Sequence, residues 1–191
     1  MAAVAGLGSL ATTVQQSMKN LLLLCTVVLP LAGCAQKQPP APVTNQSRFE
    51  ASGFSVVFPG EPKQKSASQQ TPIGAPEIVS YTYRVSSQLA LLITFEEFPA
   101  AVVKDVAKTL GQSVRGAAKM QSGTVISESD TSQDGYPARA YEIDCGRIIY
   151  QGRYVLAGRR LYNIAAFVSK KLETPQPKEL KTFFDSFQIS K

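Results

Sequence analysis

The sequence has no histidine, no tryptophan and only three cysteines in 191 residues. Each shortage removes a chemistry. Without histidine there is no Ser-His-Asp or Cys-His nucleophile system, and no zinc site built on an imidazole. Cys25 sits in an apolar leader and Cys34 at its end, so Cys145 is the one thiol in the body of the chain. A single thiol makes neither an internal disulfide nor a thiolate-rich metal centre. Gly-rich phosphate loops, nucleophile elbows and CxxC pairs are missing too. So is a strong charge. The 20 basic and 14 acidic residues leave +6, dispersed along the chain, with no nucleic-acid-binding motif. We expect no catalytic residue, no metal, no cofactor and no nucleic-acid partner.

What is present begins with a leader. Lys19 is the only charged residue before Cys34. Met18-Lys19 reads as the start of a signal sequence, with residues 1–17 an upstream extension. The alternative is a long n-region with one cation. Residues 21–32 are apolar and contain Pro30. As a helix this run reaches about 18 Å, short of the roughly 30 Å hydrocarbon core, so it reads as a signal h-region and not a membrane span.

Leu31-Ala32-Gly33-Cys34 then closely resembles the lipobox of bacterial lipoproteins. The resemblance implies diacylglyceryl transfer to the Cys34 thiol and cleavage between Gly33 and Cys34. The implied partner is a membrane, held through acyl chains whose buried CH₂ groups each contribute about 0.8 kcal/mol. Ala35 follows the cysteine; in enteric-type sorting an Asp there retains the protein at the inner membrane. The expected location is therefore the bacterial cell envelope, on the outer membrane facing the periplasm if the cell is Gram-negative. Residues 34–47 carry Pro39, Pro40 and Pro42 and read as a polyproline-rich tether reaching up to about 40 Å.

Residues 48–191 read as one domain. Phe54, Val56 and Phe58 alternate and stop at Pro59-Gly60, giving a short strand. Residues 61–75 are polar and hold Pro and Gly, so they read as loop. Residues 77–85 and 88–98 read as a hairpin turning at Ser86-Ser87, with Leu89, Leu91, Ile93 and Phe95 on a buried face. Val103, Val106, Leu110, Val114 and Ala117 then recur at helical spacing over 101–120. Four strands follow, at 124–130, 138–145, 147–156 and 160–169, with turns at Gln133-Asp134-Gly135, Gly146 and Ala157-Gly158. Pro175 and Pro177 precede a helix whose stripe is Leu180, Phe183, Phe184 and Phe187. Hairpins dominate and no repeated strand–helix–strand unit occurs. The expected class is α+β, with about six or seven mostly antiparallel strands and two packed helices.

The strand ending in Phe58-Pro59, the long meander and the closing Phe183-Phe184-Asp185-Ser186-Phe187 resemble the PsbP-like superfamily. That group includes DcrB-type bacterial lipoproteins and the cyanobacterial lipidated relatives of PsbP. The resemblance implies a non-catalytic accessory module that docks on membrane complexes.

Among individual residues, Cys145 reads as a small apolar side chain on the face of Tyr141 and Ile143. Glu142 and Asp144 share a strand face and are expected to pair with Arg147 and Arg153 across a hairpin rather than act as an acid/base couple. Glu96 and Glu97, being adjacent, point to opposite faces. Arg153, Arg159, Arg160, Lys170 and Lys171 gather in sequence around the last hairpin, as a candidate interaction surface for lipid headgroups or an acidic partner. The leading expectation is a lipid-anchored, extracytoplasmic accessory protein that binds or assists another envelope protein. The alternative is a carrier of a small apolar ligand or lipid. An enzyme would need a convergent carboxylate or thiol site.

Overall fold

Two central strands are apolar on both sides, and that dictates the layering. β5 (Leu89–Glu97) and β9 (Arg160–Ser169) pair antiparallel at the middle of a seven-stranded sheet of order β3-β4-β5-β9-β8-β7-β6. The computed structural model describes residues 48–68, 76–99, 105–173 and 177–190. The leader, Gly33 and Cys34 of the lipobox and the tether lie outside them.

The other strands of this sheet are β3 (Lys63–Ser68), β4 (Glu77–Arg84), β6 (Thr124–Gln133), β7 (Tyr136–Asp144) and β8 (Ile148–Ala157), each antiparallel to its neighbours. A small sheet of β1 (Arg48–Ala51), β2 (Phe54–Val57) and β10 (Gln188–Ile189) completes the strands. Two helices pack on this frame, α1 (Val106–Met120) and α2 (Lys178–Ser186). The α+β class, the dominant antiparallel sheet and the two helices match expectation.

The turns are sterically chosen. Between β6 and β7, Asp134 and Gly135 both have positive φ, 52° and 81°, as a two-residue type I′ turn requires. The hairpins β7–β8 and β8–β9 place Gly146 and Gly158 at φ 80° and 62°.

The front face of the sheet carries Leu91, Ile93, Tyr81, Val155, Tyr162, Ile164 and Ala166, covered by β2 and α2. Phe54 is fully buried at its centre. Its ring lies 5.7 Å from Tyr81, 6.1 Å from Phe95, 6.0 Å from Tyr162 and 5.7 Å from Phe187. The back face carries Leu92, Tyr141, Ile143, Tyr150, Tyr154, Leu161 and Ala165, covered by α1 through Leu110, Val114, Ala117 and Ala118. Three layers result, with the seven-stranded sheet in the middle.

α1 starts where its chemistry says it should. The Asp105 carboxylate accepts the Lys108 N–H at 2.9 Å, capping the first turn. The expected helix began at 101; residues 101–104, with Val103, lie outside the described set. Val106, the first residue after the cap, is 38% exposed and stands off the core stripe, which begins a turn later at Leu110. Gly111 is buried on the sheet side, where an added Cβ would come within 2.8 Å of an Arg139 Nη1. A residue that weakens the helix thus lets it pass over an arginine.

Three strands were not expected. β3 lies inside the stretch 61–75 read as loop; its residues Lys63-Gln64-Lys65-Ser66-Ala67-Ser68 are mostly exposed and pair only with β4. An edge strand with no buried face shows no alternation, and its lysines suit an edge that must not recruit another chain. β1 is four residues and β10 two, both below the length at which a pattern emerges.

Truncating Phe54→Ala should open the front core and cost about 3–5 kcal/mol, lowering the melting temperature by about 10 °C or more. A loss below about 1 kcal/mol in denaturant unfolding would contradict this packing.

Candidate functional site

α2 has nine residues and the small sheet sits over β4, β5 and β9, so the cover reaches β7 only near Ala138 and leaves the front of the middle of β6 and β7 open. There the sheet is floored by short polar side chains. Strand register sets them in rows: Ser127 beside Glu142 beside Gln151, then Ser129 beside Ala140 beside Arg153. Thr131 continues the β6 column. Leu180, Lys181, Phe184 and Asp185 of α2 form the wall. The result is a cleft of about 570 Å³. This lies within the usual range for small-molecule sites.

Arg153 is the cation in the floor. Its Nη2 donates to the Phe184 carbonyl, and its guanidinium lies 5.8 Å from the Phe184 ring centroid. Its Nε is enclosed and has no hydrogen-bond partner among the described residues. Withdrawal from water lowers its pKa, and the charges of Asp185 and Asp134 only partly oppose that. Lys181 and Asp185 on the wall pair with each other one turn apart. Glu142 is exposed beside Gln151.

The five basic residues gathered in sequence do not gather in space. Arg159 and Arg160 sit at one end of β9 and Lys170 and Lys171 just beyond the other, about 30 Å apart at strand rise. Arg159 and Arg160 both reach Glu97, at 2.7 and 3.5 Å. Arg160 also donates to the Ser52 carbonyl at 2.9 Å and lies 5.1 Å from the Phe95 ring centroid, holding the β1–β2 turn. Lys170 binds Asp144 at 2.7 Å, and Lys171 is exposed. Arg153 lies apart, in mid-strand on the front face. A hairpin with ten-residue strands separates residues that a linear reading puts together.

The carboxylates divide likewise. Asp144 pairs with Lys170 and accepts the Gly146 N–H at 2.9 Å, in place of the expected Arg147. Arg153 turns to Phe184 rather than to Glu142 or Asp144. Glu96 is buried toward α1 and Glu97 is exposed, on opposite faces as adjacent strand residues must be. Cys145 packs half-buried at the rim of the back core, and burial pushes its thiol pKa up. That is the setting of an unreactive thiol.

A buried polar network also carries no signal in the sequence. On the back face, the Tyr141 hydroxyl donates to Asn163 Oδ1 at 2.8 Å, and Asn163 Nδ2 donates to the Tyr150 hydroxyl at 2.7 Å. Burial drives the Tyr141 and Tyr154 pKa values far up. The network is satisfied and sealed under α1, so it fixes packing. Beside it, Arg139 pairs with Glu128 at 2.8 Å and Asp130 at 2.6 Å, bracing β6. Among the described residues, no group of three or more Asp, Glu or Cys side chains is placed to hold a metal ion. Among the same residues no helix is long and apolar enough to cross a membrane.

The architecture is a PsbP-like α+β fold. A solved structure similar to this chain is the solution structure of cyanobacterial PsbP (CyanoP) from Synechocystis sp. PCC 6803. The match has a TM-score of 0.54 and 11% identity, over 85% of this chain and 100% of that one. At that identity the likeness concerns the fold. No protein-family model and no curated protein matches the sequence.

The Lys170 ammonium and the Gly146 N–H hold the Asp144 carboxyl below the usual carboxylate range. Its stabilising contribution is therefore present above the unfolded-state pKa of about 3.9 and is lost as pH falls through the lower folded value. Thermal melts should rank wild type slightly above Asp144→Asn at neutral pH, with the gap closing in strong acid. A gap that persisted in strong acid would contradict the pairing.

Proposed function

We propose that this chain is a lipid-anchored, extracytoplasmic accessory protein, non-catalytic, whose folded domain binds or assists another envelope protein. The observation that carries this reading is a PsbP-like fold following a lipobox, Leu31-Ala32-Gly33-Cys34, and a Pro-rich tether. The domain is held near a membrane but free to reach a neighbour. Ala35 favours the outer membrane, facing the periplasm, in a Gram-negative cell. Lack of histidine and a half-buried Cys145 of raised pKa support the non-catalytic reading.

The lipid-carrier alternative needs an apolar hollow between sheet and helices. The front and back layers are instead packed with aromatic and aliphatic side chains, and the cleft beside α2 sets Leu180 and Phe184 on its wall against a floor of hydroxyl, amide and charged groups. Carriage of a lipid therefore has little support; capture of a polar molecule has more.

Cells fed a labelled fatty acid should label the wild-type chain and leave Cys34→Ala unlabelled and released from the membrane fraction. In the same cells a lysine-reactive cross-linker should join the wild-type chain to one recurrent envelope protein. Equal labelling of both chains would overturn the anchor. Cross-links scattered over unrelated neighbours would overturn the accessory role.

A further inference from the structure

We propose that the cleft between α2 and strands β6–β8 is a binding site for a hydroxylated monocarboxylate, a molecule of the sugar-acid class, with its carboxylate on Arg153. The inference does not depend on the lipid anchor or on a protein partner.

Three observations converge on it. First, Arg153 stands on the cleft floor and, among the described residues, has a single acceptor for its five N–H groups, the Phe184 carbonyl. Arg139, Arg159 and Arg160 each meet a carboxylate; among the described residues Arg153 meets none at hydrogen-bond distance. A guanidinium withdrawn from water is ordinarily paired, and a carboxylate fits its planar fork best. The Phe184 ring 5.8 Å away supplies part of the missing counter-charge.

Second, the groups around Arg153 match a neutral hydroxylated body. Ser127, Ser129 and Thr131 stand on one face of β6 at every second position, a spacing of about 6.8 Å. Opposite them are the Gln151 amide and the Glu142 carboxylate. Hydroxyl, amide and carboxylate side chains together both donate to and accept from ligand hydroxyls. The volume, about 570 Å³, admits a ligand of one or two sugar rings.

Third, the charge balance selects against a second anion. Lys181 is taken by Asp185, so its charge is already offset. Glu142 lies one row along from Arg153 and repels a further carboxylate. The cleft thus favours one negative charge, placed at the Arg153 end.

The test titrates the full chain with sodium gluconate by calorimetry at low ionic strength, with sodium glucarate and glucose as comparisons. Gluconate should bind saturably and at least tenfold more tightly than either. Arg153→Gln should weaken gluconate at least tenfold. Because that change also frees the Phe184 carbonyl, a second variant is needed. Ser129→Trp, at an exposed floor position, should block the cleft and abolish binding while the melting temperature stays near wild type. Three results would overturn the proposal. One is gluconate heats no different from sodium chloride. Another is binding that survives both variants. The third is glucarate binding as tightly as gluconate.

Discussion

Everything in this fold follows from the burial of β5 and β9 on both faces. Leu91, Ile93, Tyr162, Ile164 and Ala166 turn to the front; Leu92, Leu161 and Ala165 turn to the back. A half-buried antiparallel sheet needs one cover, but a pair of strands like these needs two. α1 supplies one and the small sheet with α2 the other. The covers are held by polar bonds at their margins. Tyr162 donates to the Gly53 carbonyl at 3.0 Å, and the Val57 N–H donates to Ser186 Oγ at 2.8 Å. Gln133 donates to the Phe187 carbonyl at 2.9 Å, and Asp134 accepts the Ile189 N–H at 2.7 Å. The last two run from the tip of the β6–β7 hairpin to the C-terminal segment. That hairpin therefore frames the cleft from one end while its strands form the floor.

The same constraint makes the cleft. The front cover is centred on the apolar strands and reaches β7 only near Ala138, stopping short of the middle of β6 and β7. Where the cover ends, the sheet face turns to serine and threonine. Arg153 lies at that boundary, one row from the apolar Val155 and one from Gln151. An arginine at such an edge is partly desolvated, its Nε enclosed while its residue as a whole still lines the cleft, which suits it to an anion that arrives from solvent.

Much of this was legible in the sequence, for physical reasons. Tyr162, Ile164, Ala166 and Val168 show the two-residue period of a strand, and Leu180, Phe183 and Phe184 the spacing of a helix face, while Phe187, expected on the same stripe, reaches the core from extended backbone just past the helix end. Asp134-Gly135 announces its own turn. What was hidden lacks a periodic signal. β3 has no buried face, and β1 and β10 are too short. The cleft was hidden for a different reason: Ser127, Ser129 and Thr131 alternate with Glu128 and Asp130, so both faces of β6 read as polar. Only the register shows that one face is a floor and the other an ion-paired edge. The basic residues 153–171 misled in the opposite way. Closeness in sequence across a ten-residue strand is distance in space, and several of these cations serve the fold: Arg160 holds a turn and Lys170 a strand end.

The claim that the sheet is sealed over β5 and β9 and open over β6 is best tested by native-state hydrogen exchange on the full chain. Amides in β5 and β9 should exchange slowest of all, at the rate of global unfolding, and those of β6 and β3 orders of magnitude faster. Slow exchange in β6 comparable to β9 would mean that another layer covers the cleft face. Fast exchange in β5 would mean that the two-sided core does not hold.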